Sequence, residues 1–309
     1  MATLSHGFGG IVPPLCTPLT ESFEVDTQSL RRLIEFQLAA GVHGLFVLGS
    51  SGETAFLTDK QRATVLDVAV HTVAGQVPVL AGVIDMTTAR TLEHARDAQR
   101  AGVDGLIVTA PFYTRASQVE VIEHFRIIHS ALDLPLFAYD IPVAVHTKIS
   151  YDTTFHLASE GLIAGVKDSS EDVAGFRALI MAQKSLNGFL TFTGSELLVD
   201  VALQMGASGS VPGLANVDPE GYVRLYQAAQ AGDWQTARRE QERLCRLFSI
   251  VSVGTTGRMG TGSSAMGGFK TALLLLGVIS TNVVGRPMIR LNKEELERVR
   301  ELLVGAELL

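Results

Sequence analysis

Cysteine, lysine and long apolar runs are scarce in this 309-residue chain, and each scarcity removes a class of function. The two cysteines, Cys16 and Cys245, lie far apart and outside any Cys-x-x-Cys or Cys/His ligand spacing. Neither a disulfide framework nor a zinc site is supported, and a reducing cytoplasm is the expected compartment. No run of the roughly eighteen apolar residues that a membrane span needs is present, and the longest candidate, residues 271–279, is far too short. Residues 1–10 carry neither a basic n-region nor an apolar h-region, so no secretory leader is expected. The 25 Lys and Arg residues are outnumbered by 32 Asp and Glu, giving a formal net charge of −7. The basic residues are dispersed and form no block, so the chain lacks the electrostatic footprint of a phosphate-backbone binder and nucleic acid is not an expected partner.

What is present is apolar and regularly spaced. Hydrophobic residues make up 47% of the chain, enough to fill either two domains or one large α/β barrel. Short β-rich runs alternate with amphipathic stretches, which is the pattern of βα units around a parallel sheet. Eight runs read as strands: residues 10–15, 44–48, 78–83, 105–110, 135–140, 162–167, 189–194 and 208–212. Most are continuously apolar, as strands covered on both faces are. Asp26, and Thr58 with Gln61 in capping-box spacing, mark helix starts. Ala40-Gly41-Val42-His43-Gly44-Leu45 recurs as Ala101-Gly102-Val103-Asp104-Gly105-Leu106, one αβ turn chemistry used twice. Past residue 219 the pattern is helical only, most clearly over 233–250, 268–277 and 293–303. The expected fold is therefore α/β: a (β/α)8 TIM barrel over residues 1–230, with a C-terminal helical segment, 231–309, packed on it.

Chemistry in such a barrel sits at the C-terminal ends of the strands. Lys167 closes the apolar run Leu162-Ile163-Ala164-Gly165-Val166, whereas the other five lysines occupy polar or loop-like surroundings. A primary amine held at the end of a buried strand loses hydration, which favours the neutral form that attacks ketones. The alternative is a strand-end lysine that reaches solvent or pairs with Asp168. Strand two runs into Gly49-Ser50-Ser51-Gly52-Glu53, whose amides and hydroxyls can hold a carboxylate or simply form a turn. Strand four runs into Pro111-Phe112-Tyr113, and strand five ends in Tyr139-Asp140-Ile141-Pro142. Two of only five tyrosines thus share one face with the lysine.

The order of Gly49-Ser50-Ser51-Gly52-Glu53, Tyr113, Tyr139-Asp140-Ile141-Pro142 and Gly165-Val166-Lys167 resembles the dihydrodipicolinate synthase and N-acetylneuraminate lyase superfamily of class I pyruvate aldolases. The resemblance implies a (β/α)8 barrel with C-terminal helices, assembled as a homotetramer (a dimer of dimers). The implied substrates are a small 2-oxo acid and an aldehyde, handled with neither metal nor organic cofactor. It also implies Lys167 as the Schiff-base lysine, Tyr139 as general acid/base, and Ser50 and Ser51, beside Gly49, as the carboxylate site. Tyr113 would enter the neighbouring subunit's site and complete a proton relay through Ser50. Gly194 and Val211 would line the cavity, and Gly194-Ser195-Glu196 and Val211-Pro212-Gly213 are read as walls without chemistry of their own. The roles are chemically consistent, because an imine at C2 is an electron sink, a tyrosine can carry the proton, and an anchored carboxylate makes the attack effectively intramolecular.

One stretch departs from the synthase pattern. Where synthases resemble Tyr-Asn-Val-Pro-Ser-Arg-Thr-Gly, this chain has Tyr139-Asp140-Ile141-Pro142-Val143-Ala144-Val145-His146, so Ala144 stands where an arginine would bind the second substrate's carboxylate. Alanine offers no bidentate partner, and Lys148 does not replace it without moving the loop. His146 either shapes the aldehyde side or faces water. An alanine at position 144 resembles archaeal 2-keto-3-deoxygluconate aldolases, and that resemblance implies cleavage or formation of a C–C bond in a 2-keto-3-deoxy sugar acid. The alternatives are 4-hydroxy-tetrahydrodipicolinate synthase activity, N-acetylneuraminate lyase activity, and a non-catalytic regulatory barrel that binds a 2-oxo acid. A phosphate-binding loop over 254–268 fails on its own chemistry, since Phe269 separates glycine from Lys270 and no strand precedes. A mobile interhelical loop is expected there.

Overall fold

The computed structural model describes residue 4 and residues 8–309, so most of the stretch read for a leader lies outside the described residues. The strands are β1 (Gly10–Ile11), β2 (Leu45–Val47), β3 (Val79–Gly82), β4 (Gly105–Thr109), β5 (Leu136–Asp140), β6 (Gly165–Asp168), β7 (Leu190–Thr193) and β8 (Gly209–Ser210). All pair in parallel, in the order β1-β8-β7-β6-β5-β4-β3-β2. The remaining seam is closed by a parallel bridge between Pro14 and Phe46. There the Leu15 amide donates to the Phe46 carbonyl at 2.8 Å and the Phe46 amide to the Pro13 carbonyl at 3.0 Å. Every predicted run overlaps one strand, but the first and last strands are shorter than read. Pro13, Pro14 and Pro212 have no amide hydrogen to give to a ladder.

The helices are α1 (Thr27–Ala39), α2 (Asp59–Val73), α3 (Thr88–Ala101), α4 (Gln118–Ser130), α5 (Pro142–Val145), α6 (Tyr151–Ser159), α7 (Val173–Gln183), α8 (Val199–Met205), α9 (Pro219–Gln230), α10 (Trp234–Leu247), α11 (Thr261–Leu275) and α12 (Lys293–Gly305). Asp26 caps α1 by accepting from the Ser29 amide, and Thr58 and Gln61 form the reciprocal capping box on α2. The repeated αβ turn works as read: Gly41 and Gly102 take φ of +79° and +88°, the left-handed conformation that ends a helix cheaply only at glycine. Among the described residues no helix is long and apolar enough to cross a membrane.

The C-terminal part differs from the sequence reading at one place. The segment expected to be a loop over 254–268 is half helix, because α11 already begins at Thr261. Its glycines hide the helical pattern while serving it. A Cβ at Gly268 would lie 2.2 Å from the Ile250 carbonyl oxygen, so only glycine lets α11 pack this closely on the preceding segment.

Inside the barrel, Phe137 lies 6.2 Å from Phe192 between ring centroids, and Phe8 packs against both at 6.3 and 5.6 Å. This aromatic plug fills the lower barrel. Two residues further along β5 and β6 the inward positions are polar, Tyr139 and Lys167, which is where filling gives way to a cavity.

Candidate active site

Strand register alone brings the two principal groups together. The β4–β5 ladder sets Thr109 beside Tyr139, and the β5–β6 ladder sets Tyr139 beside Lys167. Lys167 is 5% exposed, and its Nζ lies 4.1 Å from the centroid of the Tyr139 ring and 5.1 Å from that of Phe46. Two aromatic faces therefore hold the amine at the strand end, aimed into the barrel mouth.

The neighbouring residue points the other way, so Lys167 makes no pair with Asp168. Asp168 accepts from the Ser170 amide and hydroxyl at 2.8 and 2.7 Å on the outer side of the sheet. Lys148 lies there too, in an ion pair with Asp140 and donating to Ser170 at 3.0 Å. Burial pushes the Asp140 carboxyl up, against the opposing pull of Lys148. Lys148 is thus committed behind the sheet and offers no charge to the cavity.

The turn after β2 supplies the hydroxyls. Ser50 Oγ and the Tyr139 hydroxyl are 3.4 Å apart, and Ser51, 9% exposed, lines the same space. Gly49 packs the turn against β2: a Cβ there would meet the Phe46 ring at 2.6 Å. A cavity of about 310 Å³ is lined by Ser50, Ser51, Tyr139, Lys167, Gly194 and Val211, which gathers most of the sequence-predicted site. Gly194 leaves the lysine room to move. A Cβ at Gly194 would fall 1.9 Å from Ser169 Oγ and 3.1 Å from Lys167 Cε. We expect Gly194→Ala to lower kcat about tenfold or more through roughly 1–3 kcal/mol of overpacking beside the amine, with a smaller fall in Tm than a core cavity would give. A variant with wild-type kcat would show that Ser169 rotates aside without disturbing Lys167.

Two predicted residues lie elsewhere. Tyr113 has φ of +78° and is 90% exposed, so within one chain it stands outside the lysine cavity. Ala144, on α5, lines a second cavity of about 580 Å³ that adjoins the first through Ser50, Ile141 and Met266. His146, which ends α5 at φ of +57°, is exposed.

The sequence reading also missed two groups. Lys270, expected in polar, loop-like surroundings, is fully buried inside α11 and paired with Glu53. Glu196, read as a wall, brings a half-buried carboxylate into the lysine cavity and accepts from the Gly213 amide at 2.9 Å. Burial pushes the Glu196 carboxyl up, opposed by that hydrogen bond and by nearby Lys167. Its place at a strand end of the catalytic face was the available signal. Among the described residues no group of three or more His, Cys, Asp or Glu side chains is placed to hold a metal ion.

A model of the dihydrodipicolinate synthetase family matches residues 7–306. The chain belongs to this family. A 4-hydroxy-tetrahydrodipicolinate synthase of Phenylobacterium zucineum is 35% identical over 79% of this chain and 82% of its own. An uncharacterized DapA-like lyase of Halobacterium salinarum is 36% identical over 88% of this chain and 85% of its own. Among solved structures, YagE from E. coli K12, a prophage protein of the dihydrodipicolinic acid synthase family crystallised with pyruvate, superposes with a TM-score of 0.91 at 27% identity, over 98% of this chain and 99% of that one. This member of the dihydrodipicolinate synthetase family is accordingly a carbon–carbon lyase of the Schiff-base, class I aldolase type on a (β/α)8 barrel with a C-terminal helical part.

Proposed function

We propose that Lys167 forms a Schiff base with pyruvate or a 2-oxo acid, and that the enzyme cleaves or forms the C3–C4 bond of a 2-keto-3-deoxy sugar acid. The observation that carries this reading is the Lys167 amine held against the Tyr139 ring, with Ser50 Oγ 3.4 Å from the Tyr139 hydroxyl in one cavity. The substrate carboxylate sits on Ser50 and Ser51, beside Gly49, which sets C2 against the amine. The amine adds to C2 and water leaves, giving an iminium. Tyr139 takes the proton of the C4 hydroxyl, the C3–C4 bond breaks, and its electrons pass into the imine as an enamine while the aldehyde departs. The enamine carbon takes a proton, and water releases pyruvate and the free lysine. The homotetramer implied by the resemblance completes this relay with Tyr113 of a neighbouring copy entering beside Ser50, where the second cavity opens.

The charge of the walls supports a neutral, hydroxylated aldehyde. Among the described residues Lys167 is the one Lys or Arg that lines either cavity, whereas Glu171 and Glu196 line the lysine cavity and Glu53, in the second, is already paired with Lys270. A second carboxylate on the aldehyde would meet like charge and no bidentate partner. Incubation with a panel of 2-keto-3-deoxy acids and detection of released pyruvate tests the assignment. Turnover of the sugar acids with none of aspartate semialdehyde is expected, and the reverse preference would contradict it. We further expect Ala144→Arg to gain on the order of tenfold in kcat/KM for carboxylated aldehydes, since a charge-assisted bond contributes about 1.5–3 kcal/mol at best. No gain would place α5 away from the second substrate.

A further inference from the structure

We infer that the buried pair Glu53–Lys270 is a positioning device through which the C-terminal helices set the carboxylate-binding turn Gly49-Ser50-Ser51-Gly52-Glu53. The inference rests on the proposed role of Ser50 and Ser51 and extends it to a buried pair that does not line the lysine cavity. Both side chains of the pair are 0% exposed. Glu53 closes the turn with φ of +58°, a left-handed conformation that a glutamate holds only when its surroundings fix it. Those surroundings come almost wholly from the C-terminal part. Glu53 Oε2 accepts from the Gly285 amide at 2.6 Å, and Lys270 Nζ, besides pairing with Glu53, donates to the Val283 carbonyl at 2.7 Å. Gly285 allows that approach, since a Cβ on it would stand 2.8 Å from Phe56 Cβ and 3.2 Å from Glu53 Oε2. The same helix that carries Lys270 also presents Ala265, Met266 and Phe269 to the lysine cavity. One rigid element therefore faces the substrate space and anchors the turn beside it.

A wholly buried ion pair is a poor source of net stability, because desolvation offsets the attraction. Its use here is geometric. Glu53 follows Ser51 by two residues, and the Glu53 amide donates to the Ser50 carbonyl at 3.0 Å, so a shift at Glu53 is transmitted to both hydroxyls. Removing the ammonium leaves Glu53 as an uncompensated buried charge, and the turn must rearrange to reach water. Removing both charges leaves glutamine able to keep the Gly285 hydrogen bond. Neither residue is a catalytic residue; each acts through Ser50 and Ser51.

The test uses the full chain and the variants Lys270→Met, Glu53→Gln and Glu53→Gln/Lys270→Met. Saturation of borohydride trapping by pyruvate and hydrogen exchange of the peptide spanning residues 48–57 are both measured. For Lys270→Met we expect the half-saturating pyruvate concentration to rise tenfold or more, the trapping rate at saturation to stay within about threefold, and exchange of the turn to quicken. The double variant, free of an unpaired charge, should recover most of both. Wild-type half-saturation and wild-type exchange in folded single variants would overturn the inference. Failure of the wild-type protein to trap pyruvate would strike the proposed function instead, and the exchange comparison would still decide the role of the pair.

Discussion

Lys167→Ala is expected to fold and to lose turnover by on the order of 10⁵-fold or more, because Lys167 is the one lysine among the described residues lining the cavity and its effective concentration at C2 is not replaced by solvent nucleophiles. The barrel is expected to survive for a structural reason. The β6 ladder, from Phe137–Gly165 to Asp168–Thr193, is made by backbone groups that the substitution leaves alone. What is lost is the side chain whose amine sits over the Tyr139 and Phe46 rings, a cost of about 1–3 kcal/mol. Steady-state pyruvate release and thermal melting measure the two effects separately. A folded alanine variant with wild-type turnover would remove Lys167 from the mechanism.

Tyr139→Phe separates bond-making to carbon from proton transfer. The phenyl ring keeps its place beside Phe46, at 6.3 Å between centroids, and under the lysine amine, so the platform for Schiff-base formation remains. The hydroxyl that faces Ser50 at 3.4 Å is gone. We expect borohydride trapping of pyruvate to reach the wild-type extent while kcat falls roughly 10²- to 10⁴-fold, the range of a positioned acid/base group. Equal losses in trapping and turnover would assign Tyr139 to binding rather than proton movement.

The legible part of the site was the part that strand chemistry writes locally. Tyr139 and Lys167 end apolar runs, and parallel register then makes them neighbours without further information. Ser50 and Ser51 were legible because a glycine-flanked hydroxyl pair follows a strand. The Glu53–Lys270 pair was not, since its partners are remote in sequence and Lys270 sits in a helix whose glycines mask its period. Glu196 was underrated because its character depends on burial and on an amide donated from beyond another strand, at Gly213. Ala144 lines the adjoining cavity because Pro142 starts the one-turn helix α5 there, a local event that an aligned motif does not display. The short β1 and β8 follow from prolines that end each ladder inside an otherwise apolar run.

The most direct test of the whole account is intact-protein mass spectrometry after incubation with pyruvate and borohydride, followed by peptide mapping. The account predicts a single reduced pyruvyl adduct on Lys167, formed by wild type and by Tyr139→Phe and absent from Lys167→Ala. An adduct on another lysine, or an unmodified Lys167 at saturating pyruvate, would contradict it.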